Sequence, residues 1–382
     1  MVVCEVVCYV ACEVKCRVMP FSKSSVIYLL LVFTPIAVFL EFLHVGYVIL
    51  FVVAAIALIP LAKLIGDATE HLSTHYGSTL GSLINVTFGN AAEIIIAIVA
   101  INAGLLELVK ASITGSILGN IMLIFGLSMI AGGFRHKEQL FNKENAGLQV
   151  SLIFLALIGL AIPTILSSTM IEGTDVENQS KIQILSDSVA ILLLFVYVVG
   201  IIFTFFTHKH LFVLPHSDSS DEHNERDHKH WSKKKSFLML GVSMVGVIVV
   251  SEILVGSVEE TGREFGFGEM FVGAIIVGIV GNAAEHSSAI VLARKGKMDL
   301  SIGIAAGSGT QIALFVVPIL VLVGIVLGQP FTLEFTLYEL VTLFLAAIIM
   351  NLIAFDGKSN WFEGIMLTSV YIIIAIGFFF IG

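Results

Sequence analysis

Long apolar stretches, separated by shorter polar ones, run through almost the whole chain. A helix needs about 20 mainly apolar residues to cross a bilayer. Eleven stretches have about that length, at residues 26–43, 45–65, 80–103, 109–131, 146–167, 187–207, 236–256, 268–292, 301–325, 334–354 and 361–381. They are apolar on all sides, whereas the strands of a membrane barrel are short and alternate polar with apolar residues. The pattern predicts an all-α polytopic membrane protein with eleven transmembrane helices.

The composition supports a membrane protein and excludes an ordinary soluble domain. Hydrophobic residues make up 57% of the chain, charged residues make up 13%, and the mean hydropathy is +1.00. Such values are typical of chains that cross the bilayer many times. The formal net charge is −9, but the acidic residues gather in particular loops, and we expect no nucleic-acid partner.

Lysine and arginine residues are concentrated in alternate loops, and this distribution predicts the orientation of the chain. One set of loops carries nearly all of them, and the opposite set carries Lys110, Lys181 and Arg263. Basic loops stay on the cytoplasmic side, so we expect a cytoplasmic N-terminus and an external or lumenal C-terminus. This orientation requires an odd number of crossings, and we expect the protein in the cell membrane.

One six-residue phrase occurs twice inside the apolar stretches, and each copy contains a glutamate. The copies are Gly89-Asn90-Ala91-Ala92-Glu93-Ile94 and Gly281-Asn282-Ala283-Ala284-Glu285-His286. A carboxylate within a membrane helix costs several kcal/mol unless it faces a partner or water, and such residues are usually functional. Two of them at matched places indicate a built site.

The repeated phrase belongs to a longer internal repeat. Gly89 and Gly281 lie 192 positions apart, and residues 111–116 align with 303–308 at the same spacing. With five crossings each, the second copy must enter the membrane from the opposite side, which gives an inverted-topology repeat. We therefore divide the chain into an N-terminal segment with the first helix (1–44), a first five-helix repeat (45–207), a cytoplasmic polar linker (208–235) and a second five-helix repeat (236–382).

Two polar segments lie outside the repeats. The four cysteines, at positions 4, 8, 12 and 16, are spaced unlike zinc ligands, and structural disulfides are disfavoured in the cytoplasm. An N-terminal extension without function is therefore favoured over a metal or redox site. The linker is acidic and His-rich and ends in three lysines. Its low hydrophobicity favours a solvated loop, with metal sensing as the alternative.

The two glutamate phrases, followed by KASITGSILGN and KMDLSIGIAAGSGTQIALFV, resemble the two alpha-repeats of the cation/proton exchanger family, within the calcium/cation antiporter superfamily. The resemblance covers about residues 26–382. It implies an eleven-helix antiporter that moves Ca2+ against H+ through a site near the bilayer midplane. We expect no enzymatic activity and no cofactor besides the transported Ca2+. Transport of Mn2+ or other divalent cations, and assembly into a homo-oligomer, are left open.

The residue types in the repeats suit a hard cation, because Ca2+ takes six to eight oxygen ligands. The predicted ligands are Glu93, Glu285, Asn90, Asn282, Gly89, Gly281, Ser116, Ser308 and Gln311. The glycines let each helix loosen or break at membrane depth, which frees backbone carbonyls as ligands. The residues predicted to line the ion pathway are Glu70, Glu260, Asn120, Thr310 and His286. For His286, hydrogen bonding within the bundle is the favoured alternative.

Competition between a cation and protons for the same oxygens provides an exchange mechanism. Two carboxylates about 4 Å apart repel each other by about 4 kcal/mol at an effective dielectric constant of 20. An empty site is therefore expected to take up at least one proton near neutral pH, and a divalent cation is expected to displace it. Glu93 and Glu285 must both be discharged, by protons or by Ca2+, before the site passes through a closed state.

Three other functions fit parts of the pattern. Sodium-coupled exchangers of the same superfamily carry serine or threonine beside the glutamate, where this chain has Ala91-Ala92 and Ala283-Ala284. An intramembrane hydrolase could use two acids, but it usually needs a signature such as HExxH, which this sequence lacks. A passive channel is disfavoured by the inverted repeat.

Overall fold

The computed structural model describes residues 27–169, 175–208 and 231–381. The helices in these ranges are α1 (Ile27–Phe42), α2 (Tyr47–Ser73), α3 (Gly77–Phe88), α4 (Ala91–Asn102), α5 (Leu106–Gly133), α6 (Lys143–Thr169), α7 (Asp175–Ile202, continued by a π-helical turn, Phe203–Thr207), α8 (Lys233–Phe265), α9 (Glu269–Gly281), α10 (Ala283–Arg294), α11 (Met298–Leu327), α12 (Leu337–Ala354) and α13 (Trp361–Ile381). Two short strands, β1 (Gln139–Leu140) and β2 (Lys358–Ser359), pair antiparallel. The cysteine segment and most of the predicted linker lie outside the described residues.

Within the described ranges, eight helices are long and apolar enough to cross a membrane, and the bent pair α9–α10 gives a ninth span if it counts as one. Helices α1 and α4 are apolar but shorter. The prediction of a helical, polytopic membrane protein is confirmed. Each of the eleven predicted stretches overlaps a helix or a pair of helices, and the total of eleven crossings stays a prediction.

Several of the observed helices extend beyond the apolar stretches that predicted them. Stretch 236–256 lies inside α8, which begins at Lys233, ahead of the predicted end of the linker, and ends at Phe265. The Ser232 side chain caps the first turn by accepting a hydrogen bond from the Lys235 amide, and Gly266 ends the helix with a φ of 71°. Hydropathy marks the part of a helix that lies in hydrocarbon, whereas capping residues determine where the helix stops.

The two stretches that carry the glutamate phrases are each interrupted in the middle. Helix α4 follows α3 after Gly89 and Asn90, and α10 follows α9 at Asn282 with a bend of 59°. Asn90 (φ −93°, ψ 20°) and Asn282 (φ −92°, ψ 6°) both leave the helical region. The glycines predicted a loosening of these helices, and the residue that actually departs from helical geometry is the asparagine that follows each of them.

The helix contacts come in matched pairs around the most extensive one, between α2 and α8. Helix α4 packs on α8 as α10 packs on α2, and α4 packs on α11 as α10 packs on α5. Helices α5 and α11 each contain a π-helical turn, Gly119–Ile124 and Ile312–Val316. The strand pair β1–β2 joins the loop between α5 and α6 to the loop between α12 and α13.

The direction of the helices defines two faces of the bundle. Helices α5 and α9 run side by side from the same face, since a Cβ atom on Gly273 would lie 2.7 Å from the Leu108 carbonyl oxygen and one on Gly278 would lie 2.8 Å from the Gly115 carbonyl carbon. We call this the α4–α5 face, where α4 ends and α5 and α9 begin. The opposite one is the α2–α3 face, where α2 ends and α3 and α11 begin.

Candidate cation-binding site

The two predicted glutamates lie in the first turns of α4 and α10, where the two helix breaks face each other. A Cβ atom on Gly281 would lie 3.4 Å from Glu93 Oε1, and one on Gly89 would lie 3.9 Å from Glu285 Oε1. Each carboxylate therefore packs against the glycine of the other break, and the two interact electrostatically. The N-terminus of a helix favours negative charge in its first turn, which helps to hold a carboxylate at this depth.

Amide and hydroxyl side chains connect the second break to α5 and α11. Asn282 Nδ2 donates a hydrogen bond to Ser116 Oγ at 3.0 Å. Asn120 Nδ2 donates to Asn282 Oδ1 at 3.1 Å and to Ser308 Oγ at 3.0 Å. The Ser308 hydroxyl also lies near the Glu285 carboxylate and interacts with it. The structure thus brings four predicted ligands and the predicted pathway residue Asn120 into one buried network.

At the first break, Asn90 Nδ2 donates to Gln311 Oε1 at 2.8 Å. Four buried oxygen atoms around the two breaks have no hydrogen-bond partner: Asn90 Oδ1, Glu93 Oε2, Asn120 Oδ1 and Glu285 Oε2. Buried polar atoms are almost always paired, so an unpaired set needs an explanation. A cluster of buried acceptors without donors is the arrangement expected where a cation or protons bind.

A small cavity of about 20 Å³ lies beside Glu93. Its walls are formed by Glu93, Ile96, Ser112, Ser116, Val277 and Gly281. A space of this size accepts about one water molecule. The sequence reasoning missed Ser112, although its position four residues before Ser116 places both hydroxyls on one face of α5.

Three predicted pathway residues are engaged elsewhere or exposed. The Thr310 hydroxyl donates to the Ala306 carbonyl of its own helix at 2.9 Å. Glu260 is exposed and forms an ion pair with Arg263 at 2.9 Å. Glu70 is exposed near the end of α2. The structure does not bring these side chains into the cluster, and their role in a pathway stays a prediction.

His286 lies in α10 directly after Glu285 and is buried. Its ring packs beside Gly119, where an added Cβ atom would lie 3.9 Å from Cε1. Its Nε2 atom is buried without a hydrogen-bond partner. The favoured alternative of hydrogen bonding within the bundle is therefore not observed at Nε2.

Another acid in a predicted span, the buried Glu339, was also missed by the sequence reasoning. It is buried at the start of α12, where its Oε2 accepts hydrogen bonds from the backbone amide and the hydroxyl of Thr336, both at 2.8 Å. Its Oε1 accepts one from the Thr114 hydroxyl at 3.2 Å. The Thr336-x-x-Glu339 spacing is the signal of a capping box, and this role explains how the acid is held.

The donors gathered around the breaks are carboxylate, amide and hydroxyl oxygens. In the part of the chain that the structure describes, no group of three or more His, Cys, Asp or Glu residues is placed to hold a metal ion. The cluster therefore relies on two carboxylates completed by neutral oxygens. Hard cations such as Ca2+ prefer oxygen ligands of this kind, whereas soft metals prefer sulfur and imidazole.

The site is enclosed differently on its two faces. On the α4–α5 face, α9 lies directly on α5, and a Cβ atom on Gly115 would lie 1.8 Å from the Ala274 carbonyl oxygen. At the corresponding Gly307 of α11, an added Cβ would meet nothing within 4 Å among the described residues. Helix α3, the counterpart of α9, packs mainly on α2.

Comparison with known proteins places the chain in a family. The profile of the family described as "Sodium/calcium exchanger protein" matches residues 46–206 and 235–380. The chain is 41% identical over 367 residues to the "Ca(2+)/H(+) antiporter" of Aphanothece halophytica, covering 94% of this chain and 97% of the relative. It is also 41% identical over 349 residues to the "Ca(2+)/H(+) antiporter ChaA" of Bacillus subtilis (strain 168), covering 90% of this chain and 96% of the relative.

Solved structures agree with this grouping. The structure of native YfkE superposes with a TM-score of 0.79 at 38% identity and covers 93% of this chain and 99% of that chain. The H+/Ca2+ exchanger CAX, at 16% identity and a TM-score of 0.69, covers 95% of this chain and 93% of that chain and shares the fold. The chain therefore belongs to the sodium/calcium exchanger protein family, and the resemblance inferred from the two glutamate phrases is confirmed.

Proposed function

We propose that the protein is a Ca2+/H+ antiporter in which Glu93 and Glu285 bind either Ca2+ or protons and face the two sides of the membrane alternately. The observation that carries the proposal is the set of four buried, unpartnered oxygens at the two helix breaks. The names of the 41%-identical relatives support the choice of ions. In this proposal the cluster is the transport site, and the transported Ca2+ is a substrate.

The proposal includes eleven crossings arranged as one helix and two inverted five-helix repeats. Several matched features support the repeat. The breaks at Asn90 and Asn282 lie 192 positions apart and share their backbone geometry. The π-helical turn Ile312–Val316 falls within the positions that Gly119–Ile124 occupies after the same shift. Inverted repeats of this kind let one half rock against the other around a fixed site.

The exchange follows from the charge of the site. Two buried carboxylates in one cluster cannot both stay charged cheaply without a counter-charge. Ca2+ supplies that counter-charge, and without it protons do. Carrying a full negative charge through a closed, dehydrated state would cost several kcal/mol. The site with neither Ca2+ nor protons is therefore the state that cannot switch from one face of the membrane to the other. This restriction couples Ca2+ movement to proton movement.

Protons are favoured over Na+ as the coupling ion. The two residues before each glutamate are alanines, and Ala91 and Ala92 are buried at the first break. They offer no hydroxyl oxygen for a second cation beside the carboxylate. The family also includes sodium-coupled exchangers, as its description states, so the transport assay must compare the two ions directly.

The α2–α3 face is proposed to be cytoplasmic. Lys233 lies over the Tyr76 ring, at 4.6 Å, in the turn between α2 and α3, and Lys233, Lys234 and Lys235 form the basic end of the linker. Basic segments remain in the cytoplasm. The α4–α5 face is then external, and an inward proton gradient would drive Ca2+ out of the cell.

The purified protein in liposomes tests the function. Ca2+ movement and internal pH should be followed together under an imposed pH gradient, and separately under an imposed Na+ gradient at constant pH. We expect Ca2+ flux with the pH gradient and none with the Na+ gradient. Flux that follows Na+ at constant pH would identify a sodium-coupled exchanger instead.

Replacing either glutamate by glutamine is expected to reduce Ca2+ flux to the background of empty liposomes. Glutamine keeps the shape and the hydrogen bonding of Glu93 or Glu285, but it can carry neither the charge nor the exchanged proton. Glu138→Gln is the matched control, because Glu138 is exposed and only distantly paired with Lys358, at 3.8 Å. Near-native flux in Glu93→Gln or Glu285→Gln, with the protein monodisperse, would make that carboxylate structural.

The apparent affinity for Ca2+ should weaken as the pH falls. Protonation of Glu93 or Glu285 removes negative charge that the cation needs, so each competing proton raises the KM for Ca2+ by up to about tenfold per pH unit. The KM should be measured over several pH values on the face that takes up Ca2+. A KM that is constant while the maximal rate changes would argue against shared oxygens.

A further inference from the structure

The cavity beside Glu93 lies one helical turn from the glutamate cluster, towards the α4–α5 face. Ser112 precedes Ser116 by four residues in α5, and Val277 precedes Gly281 by four residues in α9. Both helices begin at the α4–α5 face, so these wall residues lie nearer to that face than the cluster does. The cavity thus extends from Glu93 towards the α4–α5 face, and a path to that face between α5 and α9 would start from it.

Backbone contact between α5 and α9 closes this path. Beyond the cavity, a Cβ atom on Gly273 would lie 2.7 Å from the Leu108 carbonyl oxygen and 2.8 Å from the Ala111 Cβ. An opening to the α4–α5 face between α5 and α9 requires these two helices to move apart. Its polar walls then become the first part of the site that a cation meets from that side.

The Ser112 hydroxyl presents an oxygen with free lone pairs to the cavity. Its proton is donated to the Val109 carbonyl oxygen at 2.8 Å, so the side chain acts towards the cavity as an acceptor. Ser116 Oγ already accepts from Asn282, and Glu93 Oε2 is buried without a partner. Acceptor oxygens at the wall of a water-sized space suit a small cation.

The second repeat has no equivalent of this hydroxyl. The position that corresponds to Ser112, 192 residues further on, is Ile304. The next two positions also differ, with Ile113 and Thr114 in the first repeat and alanines in the second, and the shared Gly-Ser pair follows. A hydroxyl present in one repeat only can serve only one of the two faces.

We propose that Ser112 is a further Ca2+ ligand, which together with Glu93 holds the ion on its way between the cluster and the α4–α5 face. This inference rests on the proposed antiport function and goes beyond the residues of the two glutamate phrases. It makes the site asymmetric at this position, because the residue of α11 equivalent to Ser112 is Ile304. Loss of the hydroxyl should therefore affect Ca2+ on one face of the membrane only.

The test measures the KM for Ca2+ separately from each face, in everted and in right-side-out membrane vesicles from the same cells. Loss of one neutral oxygen ligand is expected to raise KM by about 3- to 10-fold. We expect this change in Ser112→Ala for Ca2+ presented at the α4–α5 face, with KM at the α2–α3 face within about twofold of the native value. Ser112→Thr, which keeps the hydroxyl, should restore the native KM.

Two controls separate the outcomes. Ser151→Ala removes a hydroxyl that also donates to its own helix, at 2.8 Å, but lies on the exposed side of α6, and it should change neither KM. An unchanged KM on both faces in Ser112→Ala, or equal changes on both faces, would overturn the assignment of Ser112. A change in the proton dependence alone would overturn it as well, because the hydroxyl would then hold water. In each of these cases, pH-driven Ca2+ flux in the native protein would still support the antiport function. Absence of that flux in the native protein would refute the antiport function itself.

Discussion

Gly115 and Gly307 occupy the same position in the two repeats, yet their surroundings differ completely. A side chain on Gly115 would run into the Ala274 carbonyl of α9, at 1.8 Å, whereas one on Gly307 would enter open space among the described residues. The helices that carry them, α5 and α11, align here through the shared pairs Gly115-Ser116 and Gly307-Ser308. The half-helices next to them also differ, because α9 lies against α5, whereas among the described residues α3 packs mainly on α2.

The same contrast recurs along α3 and α9. Leu80 of α3 is 56% exposed, whereas Val272, 192 positions later in α9, is fully buried. Equivalent positions in two different environments are expected of an inverted repeat caught with one face closed and the other open, because exchange of the two arrangements would reverse the open side. Under the proposed function, the structure represents the state that is open towards the α2–α3 face.

The largest expected effect comes from adding one methyl group to each of these glycines. In a helix, Gly→Ala by itself stabilises by about 1 kcal/mol, so a loss of function must come from packing. We expect Gly115→Ala to lower the transport rate at least about tenfold, since a Cβ cannot fit against Ala274 and overpacking of this kind costs about 1–3 kcal/mol. Gly307→Ala should fold normally and keep its Ca2+ affinity at the α2–α3 face.

Gly307→Ala should nevertheless slow transport if the cycle brings α3 against α11 as closely as α9 lies against α5 now. Transport rate and equilibrium Ca2+ binding, measured on the same preparation, distinguish this from misfolding. Native transport in Gly307→Ala would mean that α11 and α3 never come into backbone contact, and the two repeats would then not exchange their arrangements.

The accessibility of one matched pair of positions tests the open and closed faces directly. Asn85 in α3 is exposed, and Val277, its counterpart in α9, is 5% exposed. In a chain with its four native cysteines replaced, Asn85→Cys should react with an impermeant thiol reagent at least about tenfold faster than Val277→Cys, and only from the α2–α3 face. Equal rates at the two positions would show that α5 and α9 do not close their face.

Labelling from the two sides of sealed vesicles also tests the orientation. Reaction of Asn85→Cys in everted vesicles but not in right-side-out vesicles would agree with a cytoplasmic α2–α3 face. The opposite result would reverse the topology and the direction in which a proton gradient moves Ca2+. Addition of saturating Ca2+ provides an internal control, because an ion in the site should change the labelling rate at Asn85→Cys without exposing Val277→Cys.

Much of the site could be predicted from the sequence because it depends on local residue types. Glu93 and Glu285 can be recognised in the sequence because they are acids within apolar stretches. The Gly-Asn pairs predict the helix breaks. Ser112 was missed because repeat matching compares the two halves, and the position equivalent to Ser112 is Ile304. Thr310 was included on residue type alone, and its hydroxyl is used within its own helix.

The asymmetry between α3 and α9 could not be predicted from the sequence at all. The open and closed arrangements share one sequence, and which of them is adopted depends on a difference of free energy between two packings. Hydropathy likewise located the spans but not their ends, since α8 continues through Glu259, Glu260 and Arg263 to Gly266. Charged residues at a helix end are stable in water at the membrane surface, so they do not terminate the helix.

The smallest expected effects concern the two matched acids at the helix ends, Glu70 in α2 and Glu260 in α8. Glu70 lies on the α2–α3 face, where the path is open, and an exposed carboxylate there raises the local concentration of cations. Glu70→Gln should therefore raise the KM for Ca2+ at that face by about two- to threefold at low ionic strength. At 0.15 M salt the effect should shrink, because the Debye length falls to about 8 Å.

Glu260→Gln should change the KM for Ca2+ less than Glu70→Gln does, on either face. The Glu260 charge is already offset by Arg263, both side chains are exposed, at 46% and 72%, and such a pair contributes about 0–1 kcal/mol to stability. Glu260 lies on the α4–α5 face, where the path is closed between α5 and α9. The electric field of Glu260 therefore acts on a cation in that path only after the α4–α5 face opens. The measurement is the KM of both variants on both faces at low and at physiological salt. A larger effect of Glu260→Gln than of Glu70→Gln on the KM at the α2–α3 face would contradict the proposed positions of the open and closed paths. The Glu260 charge is paired and screened, and it lies on the opposite face of the bundle, so it should not act on a cation that approaches from the α2–α3 face.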